Sequence, residues 1–251
     1  MPEPPDQPAL SVVVPAMNEH DNLAPLLGEI VAALQGLVTF EVVCVDDGSD
    51  DGTDAELRRL MAGEPRLRAL RHARRAGQSA ALLTGVRAAR APLVATLDAD
   101  RQNDPADLPR LYAAWRDASD RGSVGLVAGQ RAKRRDSLGK RLSSRIANRV
   151  RRGLLKDATR DTGCGLKLFP RDLLLALPAF AGLHRFLPAL VKGGGRRVLL
   201  VEVGHRPRAA GRTKYGVWNR LWIGIGDLLM VWWLLRRRRE PEGITTLAPK
   251  D

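Results

Sequence analysis

Three short runs of the chain are apolar or β-branched almost throughout: Leu10 to Val14, Phe40 to Val45 and Leu93 to Leu97. Each stops at a polar cluster. Runs of this length bounded by turn residues predict buried strands. Helix-forming stretches lie between them. Leu23 to Leu37 follows Asp21 or Asn22 as a cap, and Asp54 to Ala62 follows an acidic, glycine-bearing turn. After a third short strand at Leu67 to Arg71, Gly77 to Arg90 sets Leu82, Leu83 and Val86 on one side. Strands that alternate with helices predict a parallel α/β sheet, and such sheets bind ligands beyond the carboxyl ends of their strands. The clusters Pro15 to Glu19, Asp46 to Ser49 and Asp98 to Gln102 fall at those ends.

The last cluster has the most specific chemistry. Residues i and i+2 of an extended chain share a side, so Asp98 and Asp100 can aim both carboxylates at one point. Two carboxylates held together repel unless a positive charge lies between them. A divalent cation with oxygen ligands, Mg2+ or Mn2+, suits that point, and Gln102 offers a further neutral oxygen. The alternative is a surface turn after a buried strand, since Asp and Asn are common turn residues. Three strand ends carrying polar clusters are harder to explain as turns than any one of them.

Downstream, a helix is expected over Pro105 to Ser119. A strand over Val124 to Ala128 then runs into Gly129-Gln130-Arg131. From Arg131 to Arg152 there are ten basic residues and one acid, with Leu138, Leu142, Ile146 and Val150 at four-residue spacing. This pattern predicts an amphipathic helix whose basic face meets phosphates or lipid headgroups, or else a solvated charged helix. A polar turn at Asp161 to Gly165 leads into a short strand, and a small helix starts at Leu173. His184 to Pro188 reads as a loop or helix start, Gly193 to Gly195 as a turn and Arg197 to Val203 as a late strand. His205 to Gly216 reads as a basic loop over the site.

Composition narrows the field. The net charge of +13 and pI of about 10.8 call for an anionic partner. Cys44 and Cys164 have neither disulfide-framework nor zinc-site spacing, and His20, His72, His184 and His205 have no metal-ligand spacing. P-loop, dinucleotide-binding and nucleophile-elbow motifs are missing from the sequence. Met1 to Pro8 lacks the basic start and apolar stretch of a secretory signal, which predicts a cytoplasmic start with a disordered lead over 1–9. Near the other end, Leu221 to Leu235 is apolar, holds three tryptophans and precedes Arg236 to Arg239. As a helix it reaches only about 22 Å against a hydrocarbon core of roughly 30 Å. Asn219, Arg220 and Asp227 interrupt any longer span. An interfacial helix, or one that docks on a membrane protein partner, fits better than a single crossing.

Together these clusters resemble a known family. Val12-Val-Val-Pro-Ala-Met-Asn-Glu19, Val45-Asp-Asp-Gly-Ser49 and Leu97-Asp-Ala-Asp100 look like the GT-A nucleotide-sugar domain of family 2 inverting glycosyltransferases. Gly77-Gln-Ser-Ala-Ala, Cys164-Gly-Leu-Lys, His184-Arg-Phe-Leu-Pro and Arg208-x-x-Gly-x-Thr-Lys-Tyr resemble its dolichol-phosphate mannosyltransferase-like, polyprenyl-phosphate glycosyltransferase branch. The resemblance covers roughly residues 10–216. It implies a GT-A, Rossmann-like, mostly parallel sheet flanked by helices. A membrane-associated helix over 217–239 and a disordered tail over 240–251 would follow. It further implies that Pro15, Asn18 and Glu19 line the nucleotide pocket, with Asp47 near base or ribose. Asp98, Asp100 and Gln102 would hold Mg2+ or Mn2+ on the diphosphate. Arg131 and Arg145 would meet the acceptor phosphate or diphosphate, and Arg208 and Lys214 would close over phosphates. Arg101 departs from the Leu common in the family, and Thr213 replaces the usual Ser but keeps its hydroxyl.

The implied reaction moves a sugar, mannose from GDP-mannose by family analogy, to a polyprenyl or dolichyl phosphate at the cytoplasmic membrane face. A metal and Arg or Lys donors stabilise a departing diphosphate. A lipid phosphate is already anionic and needs no general base, whereas a hydroxyl acceptor does. The abundance of arginine favours phosphate. A family 2 transferase acting on a sugar or protein hydroxyl is the alternative. A non-catalytic module for anionic lipid or nucleic acid is a remote one, because acidic clusters oppose polyanions and RNP-like aromatic motifs are missing. Nucleic acid is therefore not an expected partner.

Overall fold

Strand β1 (Leu10–Ala16) runs through the middle of the sheet with β2 (Phe40–Asp46) parallel on one side and β4 (Leu93–Thr96) parallel on the other. A computed structural model describes residues 7–131, 153–155, 159, 161–206 and 217–237. Strand β3 (Leu67–Arg71) flanks β2, and β5 (Val124–Arg131), β6 (Lys167–Pro170) and β7 (Arg197–Val203) complete seven strands in the order β3-β2-β1-β4-β6-β5-β7. Every pairing is parallel except those of β6, which runs antiparallel to both β4 and β5. This reversal has a simple consequence. The carboxyl ends of β1, β2, β4, β5 and β7 share one edge of the sheet with the start of β6.

Helices α1 (His20–Leu34), α2 (Thr53–Gly63) and α4 (Leu108–Arg116) form a layer on one face. Helices α3 (Gln78–Ala88), α5 (Arg171–Leu175) and α6 (Leu183–Gly193) cover the other. β1 is buried on both faces. Val12 and Val14 pack with Leu23, Leu26 and Ile30 of α1. Val13 meets α3 so closely that a Cβ on Gly85 would lie 2.4 Å from its Cγ1. A strand enclosed in this way reads as a continuous apolar run.

Two expectations need correction. Pro15 does not end β1, which continues to Ala16 with Pro15 opposite Val45. Val13 accepts Leu97 N–H from the β4 side (3.2 Å), and Pro15, two residues on, faces the same side just beyond the last β1–β4 pair. Its missing N–H therefore breaks no ladder. Helix α1 starts at His20, before either local cap candidate, because its first N–H groups are capped from another loop. Glu19 N–H donates to Thr53 Oγ1 (3.0 Å) and His20 N–H to Asp51 Oδ2 (3.2 Å). The basic segment beyond Arg131, with Arg145, and the loop bearing Arg208 and Lys214 lie outside the described residues.

The chain divides into two units, Met1–Lys214 and Tyr215–Asp251. The second carries α7 (Val217–Arg237). Among the described residues no helix is long and apolar enough to cross a membrane. On α7, Leu229 and Trp233 are 51% and 55% exposed, and the guanidiniums of Arg236 and Arg237 lie over the rings of Trp232 and Trp233.

Candidate active site

The loops after β1 and β2 are stitched together. Asn18 N–H donates to Ser49 Oγ (2.9 Å), Asn18 Nδ2 donates to Asp50 Oδ1 (2.6 Å), and Asp50 N–H donates back to Asn18 Oδ1 (3.1 Å). Asn18 adopts a φ of +56°, in the left-handed region that Asn tolerates better than most residues. Glu19 accepts from Asn22 Nδ2 at 2.7 Å. Asp46 is wholly buried; it accepts Ser49 N–H (2.9 Å) and lies 3.3 Å from Arg71 Nε. Asp47 is also buried and accepts three hydrogen bonds: from Ala76 N–H (2.8 Å), from Gly77 N–H (2.7 Å) and across its 2.8 Å contact with His72 Nδ1. It fixes the turn that starts α3. Gly48, at φ +76°, allows the close approach, since a Cβ there would lie 2.8 Å from Arg75 N.

Beyond β4 the surroundings change. Asp98 receives a hydrogen bond from Gln78 Nε2 at 2.7 Å. Burial and then the neighbouring charge of Asp100 push its carboxyl up to about 6, against the pull of Lys167 and Arg131. Asp100 Oδ1 accepts Gln102 N–H (3.1 Å), closing a tight turn. Gly165 lies against Asp98: a Cβ there would fall 2.3 Å from Oδ2, so only glycine leaves room for the carboxylate.

The reversed strand brings in a cation. Lys167 stands opposite Thr96 of β4 and Ala128 of β5 and is 3% exposed. Its Nζ donates to Cys164 O. Burial pulls its ammonium below the ordinary range, while Cys164, Asp98 and Asp161 hold it up. Arg131, at the end of β5, grips Asp161 through Nε (2.5 Å) and Nη2 (2.8 Å). The cysteines are inert: burial pushes Cys44 up to about 12 and also raises Cys164.

Of the residues expected from sequence, the edge therefore gathers Pro15, Asn18, Glu19 and Asp47 on its β1–β2 side. Asp98, Asp100 and Gln102 lie beyond β4, and Arg131 ends β5. Gln78, Gly165 and Lys167 were not assigned roles from sequence. A lone lysine in the apolar stretch Leu166 to Phe169 was the available signal for Lys167.

The donor set fits a hard divalent cation. Among the described residues no cluster of three or more His, Cys, Asp or Glu surrounds a metal position. Mg2+ in nucleotide sites is commonly held by one or two carboxylates, with substrate phosphates and water completing its shell. Asp98 and Asp100 would supply that pair, and a cation between them would relieve the repulsion from Asp100 that adds to burial in raising Asp98.

The description "Glycosyl transferase family 2" matches residues 11–177. The chain belongs to this family. Among curated relatives, a dodecaprenyl-phosphate galacturonate synthase of Rhizobium johnstonii is 34% identical over 237 residues, covering 92% of this chain and 69% of its own. An undecaprenyl-phosphate 4-deoxy-4-formamido-L-arabinose transferase of Aeromonas hydrophila is 35% identical, covering 83% and 63%. The chain thus spans roughly two thirds of the length of these relatives. A mannosyltransferase from Pyrobaculum calidifontis, solved with GDP-Man and Mn2+, shares the fold at TM-score 0.66 and 24% identity, covering 96% of this chain and 68% of that one. Glucosyl-3-phosphoglycerate synthase from Mycobacterium tuberculosis, solved with Mn2+, UDP and phosphoglyceric acid, does so at 0.69 and 21%, covering 93% and 80%. The GT-A fold expected from sequence is thereby established.

Proposed function

We propose that this glycosyltransferase moves a sugar from a nucleotide-sugar to a polyprenyl phosphate, with inversion, at the cytoplasmic face of the membrane. The observation that carries this reading is the shared sheet edge, where a carboxylate pair stands beside the cations Lys167 and Arg131. The names of the curated relatives, which are polyprenyl-phosphate sugar transferases, support it.

Asp98 and Asp100, with Gln102, would hold Mg2+ or Mn2+, which when bound neutralises charge on the departing diphosphate. The stitched loops at Pro15 to Glu19 form one wall of the nucleotide pocket, and Asp47 shapes it through the backbone at Ala76 and Gly77. Gln78 orients Asp98, and Gly165 leaves that carboxylate its space. Arg131, joined by Arg145, meets acceptor phosphate; Arg208 and Lys214 meet donor phosphates. Nearby carboxylates are already engaged: Asp104 by Arg206, Asp107 by Arg110 and Asp161 by Arg131. A phosphate acceptor attacks without a base, which suits such a site. Helix α7, with exposed Leu229 and Trp233 beside its arginines, lies in the headgroup region or against a membrane protein.

The sugars named by the relatives are galacturonate and formamido-arabinose, so GDP-mannose is one donor to test and not the assignment. The experiment is a panel of GDP-mannose, UDP-glucose and nucleotide-activated galacturonate, supplied with polyprenyl-phosphate-containing membranes and Mg2+ or Mn2+. Sugar entering the lipid extract is the expected result. Transfer only to a soluble acceptor, independent of polyprenyl phosphate, favours the hydroxyl-acceptor alternative.

A further inference from the structure

The turn that carries the candidate metal ligands is strained. Arg101, between Asp100 and Gln102, has a φ of +58°, a left-handed conformation unfavourable for a long side chain. Its guanidinium does not join the carboxylate pair. Nη2 donates instead to Glu29 Oε1 of α1 at 2.5 Å. The other Glu29 oxygen accepts Arg206 Nη1 at 2.6 Å. Arg206, just past β7, also grips Asp104 through Nη2 (2.7 Å) and Nε (3.2 Å), and its backbone N–H donates to Gln102 O (2.9 Å). One carboxylate thus joins two arginines that hold the same turn from opposite ends. Glu29 is partly buried; burial raises its carboxyl, but the hydrogen bonds from Arg101 and Arg206 outweigh this and hold it below the usual range.

We propose that Glu29 is a positioning residue, which through Arg101 and Arg206 keeps the Asp100–Gln102 turn in its left-handed, metal-presenting form. A side chain without a donor at position 101 would leave Glu29 only Arg206, so this strut depends on Arg101. The proposal rests on the metal reading of Asp98 and Asp100.

Binding of Mn2+ alone to the purified full chain, followed by water-proton relaxation, separates the two. Asp100→Ala should abolish binding; if it binds like wild type, the metal reading fails and the proposal with it. Glu29→Ala should weaken Mn2+ binding about tenfold, the low end for residues that orient metal ligands, with Glu29→Gln showing a smaller loss if Glu29→Ala folds poorly. Glycine adopts positive φ without strain, so in an Arg101→Gly background the Glu29→Ala loss should shrink to about threefold or less. A purely structural role predicts a lower melting temperature with unchanged Mn2+ affinity. Loss of binding in Asp100→Ala with wild-type affinity in both Glu29 variants overturns the proposal. So does a Glu29→Ala loss that stays undiminished beside Arg101→Gly.

Discussion

Asp47 and Asp98 stand past the ends of β2 and β4, on either side of β1, and their surroundings differ. Asp47 accepts two backbone N–H groups and contacts His72 Nδ1. Asp98 accepts a hydrogen bond from Gln78, sits beside Asp100 and titrates near 6. A carboxylate enclosed by fixed donors holds its turn in place, since turning it away breaks those hydrogen bonds. A carboxylate crowded by another carboxylate gains from any cation that enters. The two acids on this sheet edge thus stand in different surroundings: one is held by its own loop, the other stands beside a second carboxylate.

Replacing either of the two carboxylates proposed to hold the metal should give the largest effect. Asp98→Ala or Asp100→Ala should lower metal-dependent transfer by about a thousandfold, the several kcal/mol that charge neutralisation contributes at a leaving group. The melting temperature should stay close to wild type. Asp47→Ala should do the reverse. Denaturant titration should show a loss of about 1–2 kcal/mol, since two part-buried hydrogen bonds to a charged acceptor are lost. Mn2+ affinity should be retained. Equal behaviour of the Asp47 and Asp98 variants in both assays breaks this contrast.

Gly165→Ala approaches Asp98 from its other side. A methyl placed 2.3 Å from Oδ2 must displace the carboxylate. Mn2+ affinity should fall about tenfold, as when metal ligands lose their orientation. A fall in stability of about 1–3 kcal/mol should accompany it.

A pH dependence, confined to acid conditions, completes the series. His184 contacts Ser79 Oγ through Nδ1 (2.8 Å), and burial, with Lys167 and Arg185 nearby, pushes its imidazole down to about 3. Its unfolded value is near 6.5. The unfolded chain therefore binds the extra proton first. The stabilisation is complete above about pH 6.5 and is lost as pH falls toward 3, by a few kcal/mol at most. His184→Gln should flatten that part of the stability-versus-pH curve.

The strand ends were legible because β1, β2 and β4 are covered on both faces, and their apolar runs stop where the chain reaches the open edge. Asp98 and Asp100 were legible as a polar cluster after an apolar strand, but β4 ends at Thr96 and Ala99 and Asp100 lie in a turn, so the extended, period-two geometry expected of them does not hold. Pro15 misled because its missing N–H falls where the ladder has already ended. The start of α1 misled because Asp51 and Thr53 cap it from another loop. The direction of β6, a four-residue strand, leaves no mark in the sequence, so the lone lysine was visible but its arrival with Gly165 beside Asp98 was not. The direction of Arg101 depended on Glu29, 72 residues away.

A phosphate, and not a hydroxyl, is the acceptor proposed for this edge. Purified chain, an accepted labelled nucleotide-sugar and Mn2+ should be offered polyprenyl phosphate and, in parallel, the free polyprenol. Labelled lipid is expected from the phosphate alone and is lost in Asp100→Ala. Comparable transfer to free polyprenol, or undiminished transfer by Asp100→Ala, contradicts the proposal.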